Sequence, residues 1–341
     1  MSEEWLVYKN VNSAPPAVGE WALEAPPWRR FFGLPEDRLI AVDPPPQEFP
    51  EDFHYLANGT IKNTVNAAIR LRRPILVTGQ PGTGKTSLAD SIAYELGLGP
   101  VLTWLITSRS TLREGLYEYD VLGRVNDMNL ADRMSSEAGG HLRADARDIG
   151  RYVTLGPLGD ALLPRRRPRV LLIDEIDKCD IDLPGDLLHV FERGWYEIPE
   201  LVREHDPYVT VHRAGGLQAD IHDGRVQCHE FPVIVLTSNG EQEFPPAFRR
   251  RCLTLKLDLP TEADLVAIAE RKLPDGLDMA MMTSLVQEFT RRRDGDGEVL
   301  ATDQLLNALF LRLPGHGLDA SDFDKVREIV FAKIDDSVDA V

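Results

Sequence analysis

From about residue 51 to residue 258 the chain alternates short apolar runs with stretches of helical periodicity, which predicts an α/β unit on a parallel sheet. Five runs read as strands: 74–79 (PILVTG), 101–106 (VLTWLI), 169–174 (RVLLID), 232–238 (PVIVLTS) and 252–257 (CLTLKL). Several are apolar at consecutive positions, the pattern of strands covered by helices on both faces. After Pro260 the pattern becomes amphipathic and helical over 261–271, 278–291, 303–311 and 321–334. Each of these stretches opens on Ser, Thr or Asp or carries acid in its first turn. No β-run interrupts them, so 259–341 is expected to form a separate all-α domain.

Residues 1–50 fit neither rhythm. They hold nine of the 24 prolines and three of the five tryptophans, Trp5, Trp21 and Trp28. The prolines deny the segment a regular ladder, while the tryptophans give it more apolar weight than a free linker carries. It reads as an extended arm, either wrapped on its own core or docking on a neighbouring subunit or partner.

A length of 341 residues exceeds the usual single-domain size, in line with two globular parts. The balance of 43% hydrophobic and 27% charged residues is that of a soluble globular chain. A net charge of −17 works against wrapping a phosphate backbone, so nucleic acid is not the expected partner. The basic runs 165–167 and 291–293 read as solvated turns. Cys179, Cys228 and Cys252 lie far apart with no Cys-x-x-Cys, which signals neither zinc nor a disulfide framework. The start MSEEWLVYKN is not a basic segment followed by an apolar run, and no stretch of 18 apolar residues occurs. The expectation is a cytoplasmic protein without a membrane partner.

The candidate chemistry begins at GQPGTGKT. Gly79, Gln80, Pro81, Gly82, Thr83, Gly84, Lys85 and Thr86 fit the P-loop pattern G-x-x-x-x-G-K-[ST]. An apolar strand precedes the loop and a helical stretch from Ser87 follows it. Gly82 and Gly84 permit the turn that points successive N–H groups inward, and the following helix presents its positive end to phosphates. Lys85 suits the β- and γ-phosphate oxygens, and Thr86 offers a hydroxyl to Mg²⁺. Ser87 completes the candidate nucleotide-binding set on this loop.

Some 90 residues later, RVLLIDEIDK ends an apolar strand on two carboxylates, at the edge of a parallel sheet where ligands sit. Asp174 is expected to hold the metal and to count among the nucleotide-binding residues. Glu175 is expected to act as general base on the attacking water. A third run, PVIVLTSN, ends on Asn239, whose amide can orient that water or touch the γ-phosphate.

With GQPGTGKT, VLLIDEIDK, VIVLTSN and FPPAFRRRCL in this order, the chain resembles an AAA+ ATPase, and more narrowly the MoxR group. The narrowing rests on the segments 107–124, 152–163, 181–201 and 238–253. The resemblance implies a P-loop NTPase fold, with a five-stranded parallel sheet flanked by helices and a helical lid, assembled as a ring, usually hexameric. It implies ATP and Mg²⁺ as cofactors. In such rings an arginine ending a Pro-x-Ala-Phe-x-Arg-Arg stretch reaches the neighbouring subunit's γ-phosphate, which corresponds to Arg251 with Arg250 beside it.

Two insertions mark the group, and both have counterparts here. Residues 108–152 look like the helix-two insert, and 208–230 like the hairpin before sensor 1. Within the latter, two short alternating runs are joined by Asp223-Gly224, a strong two-residue turn signal. One departure stands out: the family's lid arginine should fall near LATDQLLNALF, where the matching position is Asp303. Residues 301–304 resemble the Ser-Thr-x-Glu-type start of some MoxR-like subfamilies.

The implied function is chaperone-like remodelling or maturation of a protein client, with a von Willebrand A domain protein as a common kind of partner, in some cases within bacterial conflict systems. Two other classes stay open from the residues: a nucleic-acid motor akin to restriction GTPases, and a nucleotide-controlled scaffold with negligible turnover.

Overall fold

The computed structural model describes residues 5–13, 21, 23–31, 39–40, 54–133, 148–273, 278–295, 298, 300–313 and 320–331. The five expected strands form one parallel sheet: β1 (Ile75–Thr78), β2 (Leu102–Leu105), β5 (Val170–Asp174), β10 (Val233–Ser238) and β11 (Leu253–Lys256). Their order across the sheet is β11-β1-β10-β5-β2. That order follows from composition. The continuously buried runs ILVT, VIVLTS and VLLID take the three central places, while LTWL and LTLK, which leave alternate residues less buried, take the edges.

Alternate residues of the central strands feed two different cores. Ile75, Val77, Val170, Leu172, Val233 and Val235 pack with the helices Gly59–Leu71 and Lys85–Leu96. Leu76, Leu171, Ile173, Ile234 and Leu236 face the other way, toward the helix Leu183–Arg193. Each fully buried Val, Leu or Ile contributes about 1.5–3 kcal/mol relative to exposure, so the sheet is fixed from both sides.

A second sheet has six strands: β3 (Tyr117–Tyr119), β4 (Val153–Leu155), β6 (Trp195–Glu197), β7 (Tyr208–His212), β8 (Gln218–His222) and β9 (Arg225–Gln227). Their order is β3-β4-β7-β8-β9-β6, with only β4 and β7 parallel. This extends the expectation for 208–230. Asp223 and Gly224 do form the turn between β8 and β9, with φ of 51° and 68°. The hairpin is not alone, however. β7 and β6 extend it, and β4 joins it to β3 inside the expected insert. Three-residue strands are too short to show a period, which is why the shared sheet is absent from the sequence pattern. Of the rest of the insert, a helix covers Val121–Arg133, and 134–147 lie outside the described residues.

Two basic runs expected as solvated turns are partly buried instead. Arg165 donates to both the carbonyl and the carboxylate of Asp160, and Arg213 donates to the same carboxylate at 2.7 Å. All three side chains are buried. Burial works against the charged form of Asp160, and the two guanidiniums overcome it, holding its carboxyl below the usual carboxylate range. The triad joins the end of β7 to the helix Pro157–Ala161. Arg293 is likewise buried, bonded to Asp294 and to the Pro260 carbonyl.

The C-terminal region is helical, as expected: Glu262–Lys272, Met279–Thr290, Thr302–Phe310 and Ala320–Val330. Thr261 and Asp264 cap the first reciprocally, and Asp278 caps the second. Leu265, Val286, Phe289, Leu305 and Leu309 form a core of their own. Residues 332–334, expected in the last helix, lie outside the described ones.

The described part of the arm wraps on the chain's own core. Asn66 accepts from the N–H groups of Val7 and Tyr8, Tyr8 and Ser91 share a 2.7 Å hydroxyl bond, and the Glu95 carboxylate accepts from Lys9, Asn10 and Val11. Cys179, Cys228 and Cys252 are buried free thiols. Among the described residues no helix is long and apolar enough to cross a membrane.

Candidate functional site

The site forms where β1, β5 and β10 end together. Their parallel register pairs Thr78 with Ser238 and Leu236 with Ile173, so the exits Gly79, Asp174 and Asn239 share one edge of the sheet. The loop after β1 is open to solvent at Gln80, Pro81 and Gly82, while the strand before it is buried. Gly82 and Gly84 have φ of 75° and 82°, a region costly for other residues. Gly84 is the N-cap of the helix Lys85–Leu96 and brings no side chain to its first N–H groups. Those donors therefore stay available to an anion.

Lys85 is the hub. Its ammonium donates to the carbonyls of Gly79 (2.8 Å) and Gln80 (2.9 Å) and to Asn239 Oδ1 (2.7 Å). Burial lowers the Lys85 pKa, opposed by the nearby charges of Asp177, Asp174 and Glu175. Two segments, the P-loop and the exit of β10 154 positions away, thus meet on one cation.

The two consecutive carboxylates diverge because the backbone turns between them. Asp174 ends β5, and Glu175 sits in the left-handed region with φ of 58°. A non-glycine residue there costs about 1–3 kcal/mol, which surrounding bonds must hold. Thr237 does so: its hydroxyl donates to Asp174 Oδ1 at 2.5 Å and accepts the Glu175 N–H at 2.9 Å. Asp174 also accepts from the Thr86 hydroxyl at 3.3 Å. This threonine–carboxylate pair of hard oxygens suits a divalent cation such as Mg²⁺. The Glu175 carboxylate pairs with Lys178 at 2.9 Å.

Thr237, Asp177 and Lys178 were not among the expected site residues. Thr237 sits one strand over from Asp174, and only the pairing of β10 beside β5 reveals it. Asp177 and Lys178 lay in the quoted run VLLIDEIDK, but nothing in their spacing told which polar atoms they would meet.

Beside the loop opens a cavity of about 700 Å³, within the usual range for small-molecule sites. It is lined by Tyr55, Gly84, Ser87, Lys256, Thr261 and Asp303, among others, drawing on the segment before the first helix, the P-loop and the helical region. The helix Thr302–Phe310 closes one side. Thr302 donates to the Gly82 carbonyl at 2.9 Å, and a Cβ on Gly82 would meet the Thr302 nitrogen at 2.7 Å. Asp303, at the position where the resemblance places a lid arginine, lines this cavity.

Arg250 and Arg251 lie apart from this centre, at the end of the helix Pro246–Arg251. Arg250 bonds to the Pro246 carbonyl. Arg251 bonds to the Ala247 carbonyl and, at 2.8 Å, to Glu192. The structure therefore brings Lys85, Thr86, Asp174, Glu175 and Asn239 together, and leaves the two arginines on the surface.

The family model for the AAA domain (dynein-related subfamily) matches residues 74–252, more than half of the chain. That span runs from the start of β1 to the end of the arginine helix and includes every site residue named above from Gly79 to Arg251. No curated protein matches the chain.

Proposed function

This chain belongs to the AAA domain family, in its dynein-related subfamily, and on that premise we propose that it hydrolyses ATP with Mg²⁺ to remodel a protein client. Family membership makes it a nucleotide-hydrolysing ATPase in general terms. The observation that carries the finer reading is the meeting on Lys85 of the P-loop and Asn239, beside the Asp174–Thr86 pair.

Lys85 exchanges its bonds to Gly79, Gln80 and Asn239 for the β- and γ-phosphate oxygens, and the free N–H groups of the helix start receive the rest of the phosphate chain. The nucleoside occupies the cavity lined by Tyr55 and Thr261. Mg²⁺, held from Thr86 and Asp174, would neutralise charge on the phosphates. Released by Lys178, Glu175 takes the proton of the attacking water, and Asn239, freed from Lys85, orients that water.

Arg251, with Arg250 beside it, serves the site of a neighbouring copy in a ring, by our reading a hexamer of the MoxR kind. Supporting this is the surface position of the arginine helix: the bonds of Arg250 and Arg251 among the described residues go to Pro246, Ala247 and Glu192, none of them a P-loop residue. The joining of both insertions into one six-stranded sheet supports a mechanical role, because a push on one insertion is carried to the other. A cytoplasmic client, or a partner with a von Willebrand A domain, is the expected load.

The test is a Glu175→Gln trap expressed in cells and co-purified for mass spectrometry. A protein client should be retained with ATP and lost when Lys85→Ala is added. Recovery of nucleic acid with a salt-sensitive gel shift points instead to the motor reading, and undiminished partner function in the trap points to a scaffold.

A further inference from the structure

Asp177 lies three positions beyond Asp174 in the short turn Ile176–Lys178 and is only 5% exposed. One of its oxygens, Oδ2, accepts the N–H of Asn239 at 2.8 Å and the N–H of Glu241 at 3.1 Å. The other, Oδ1, is buried and has no hydrogen-bond partner among the described residues. A buried carboxylate is costly unless it is paired and hydrogen-bonded, and charge-assisted bonds to backbone N–H groups, such as the two that Asp177 accepts, are among the stronger ones.

The two N–H groups belong to the turn that leaves β10. There the chain has run past its partner strands, Gly240 adopts φ of 86°, and backbone donors need acceptors from elsewhere. Asp177 supplies one oxygen for two of them. Asn239 is thereby anchored through its own backbone, while its side chain reaches Lys85 at 2.7 Å.

We propose that Asp177 is a positioning residue for hydrolysis: through the Asn239 and Glu241 N–H groups it sets where the Asn239 carboxamide stands relative to the P-loop. The inference rests on the reading of Asn239 as the group that orients the lytic water. The rival role for Asp177 is its charge, since it is the foremost of the carboxylates that oppose the lowering of the Lys85 pKa by burial. The two roles make opposite demands on substitutions. Positioning needs an acceptor oxygen at that distance, whereas support of Lys85 needs the negative charge.

Asp177→Asn keeps the acceptor and loses the charge. Asp177→Glu keeps the charge and displaces the oxygens by one methylene. With the full-length chain, ATP turnover gives kcat and KM, and a fluorescent ATP analogue gives Kd. A misplacement of about 1 Å costs about 10²-fold in rate. The expectation is that Asp177→Glu lowers kcat by about that factor with Kd within about threefold of the parent, and that Asp177→Asn stays within about threefold in both. Asp177→Glu combined with Asn239→Ala should be no slower than Asn239→Ala alone, as for two residues acting through one group.

The reverse order, with Asp177→Asn inactive and Asp177→Glu active, overturns the positioning role in favour of charge on Lys85. Multiplying deficits in the double variant also overturn it, since Asp177 would then act other than through Asn239. Parental kcat in Asp177→Glu overturns it outright. Should the longer side chain prevent folding, Asp177→Ala takes its place in the same cycle. Absence of turnover in the parent chain sinks the ATPase reading itself, a result that no Asp177 variant produces.

Discussion

Lys85 and Arg251 are both cations proposed to meet a γ-phosphate, and the chain holds them in opposite ways. Lys85 is partly buried, and its bonds go to two carbonyls and one carboxamide of its own site. Arg251 is 42% exposed and pairs with Glu192, itself 47% exposed. An exposed ion pair is worth about 0–1 kcal/mol, so Arg251 can leave Glu192 at little cost. The lysine is built into one chain. The arginine is held loosely enough to be lent to another.

The comparison breaks first at its stronger member. Lys85→Ala is expected to abolish nucleotide binding, read by calorimetry or by a fluorescent ATP analogue, because no other cation meets the P-loop carbonyls among the described contacts. Binding within threefold of the parent would move the hub of the site elsewhere. Arg251→Ala comes next, with Kd for ATP unchanged and turnover reduced by about 10³-fold or more, the range for an arginine supplied in trans. Mixing that variant with Lys85→Ala tests the lending directly. Mixed assemblies should regain turnover, since each chain supplies what the other lacks. Full turnover in Arg251→Ala alone means that the arginine is not used.

A buried counterpart calibrates the loose pair. Asp160 is enclosed with Arg165 and Arg213, and removing one member of such a group leaves an uncompensated buried charge costing about 3–5 kcal/mol. Asp160→Asn should lower the denaturation midpoint accordingly. Asp160 titrates below its unfolded value of about 4, so its contribution is complete above that pH and fades as pH falls through the folded pKa. The parent chain should therefore lose this increment on acidification, and Asp160→Asn should show a flatter stability profile below about pH 4. Parallel profiles would remove Asp160 from the account.

The same contrast explains what the sequence made legible. The P-loop, the acidic strand and Asn239 each sit at the end of a long apolar run, and runs of that kind declare both their type and their exits. So do the edge strands, whose alternation marks them as less covered. Of the second sheet only the hairpin is legible in the sequence, because the strands are three to five residues long and β4 pairs with β7 across more than 50 positions. Asp160, Arg165 and Arg213 are separated by 53 positions from first to last, and no local pattern announces that two guanidiniums will share a buried carboxylate. Thr237 was visible as a strand residue, but its double duty to Asp174 and Glu175 depends on which strand lies beside β5.

The smallest expected effect concerns Glu192, and it sharpens the comparison most finely. Glu192 accepts from Arg251 at 2.8 Å and also stands 3.6 Å from Arg29, which is buried and bonded to the carbonyls of Arg72 and Phe191. Burial lowers the Arg29 pKa, and Glu192 is the main charge that opposes this. If Glu192 chiefly parks Arg251, Glu192→Gln changes stability by less than about 1 kcal/mol in a denaturant melt. Turnover then stays near the parent value, because the amide oxygen still accepts and the arginine is still free to go. A loss of about 3 kcal/mol means that Glu192 serves the buried Arg29 instead, as removal of a partner from a buried charge does. The arginine would then be anchored through the arm as well as exposed, and the loose hold inferred for it would not stand.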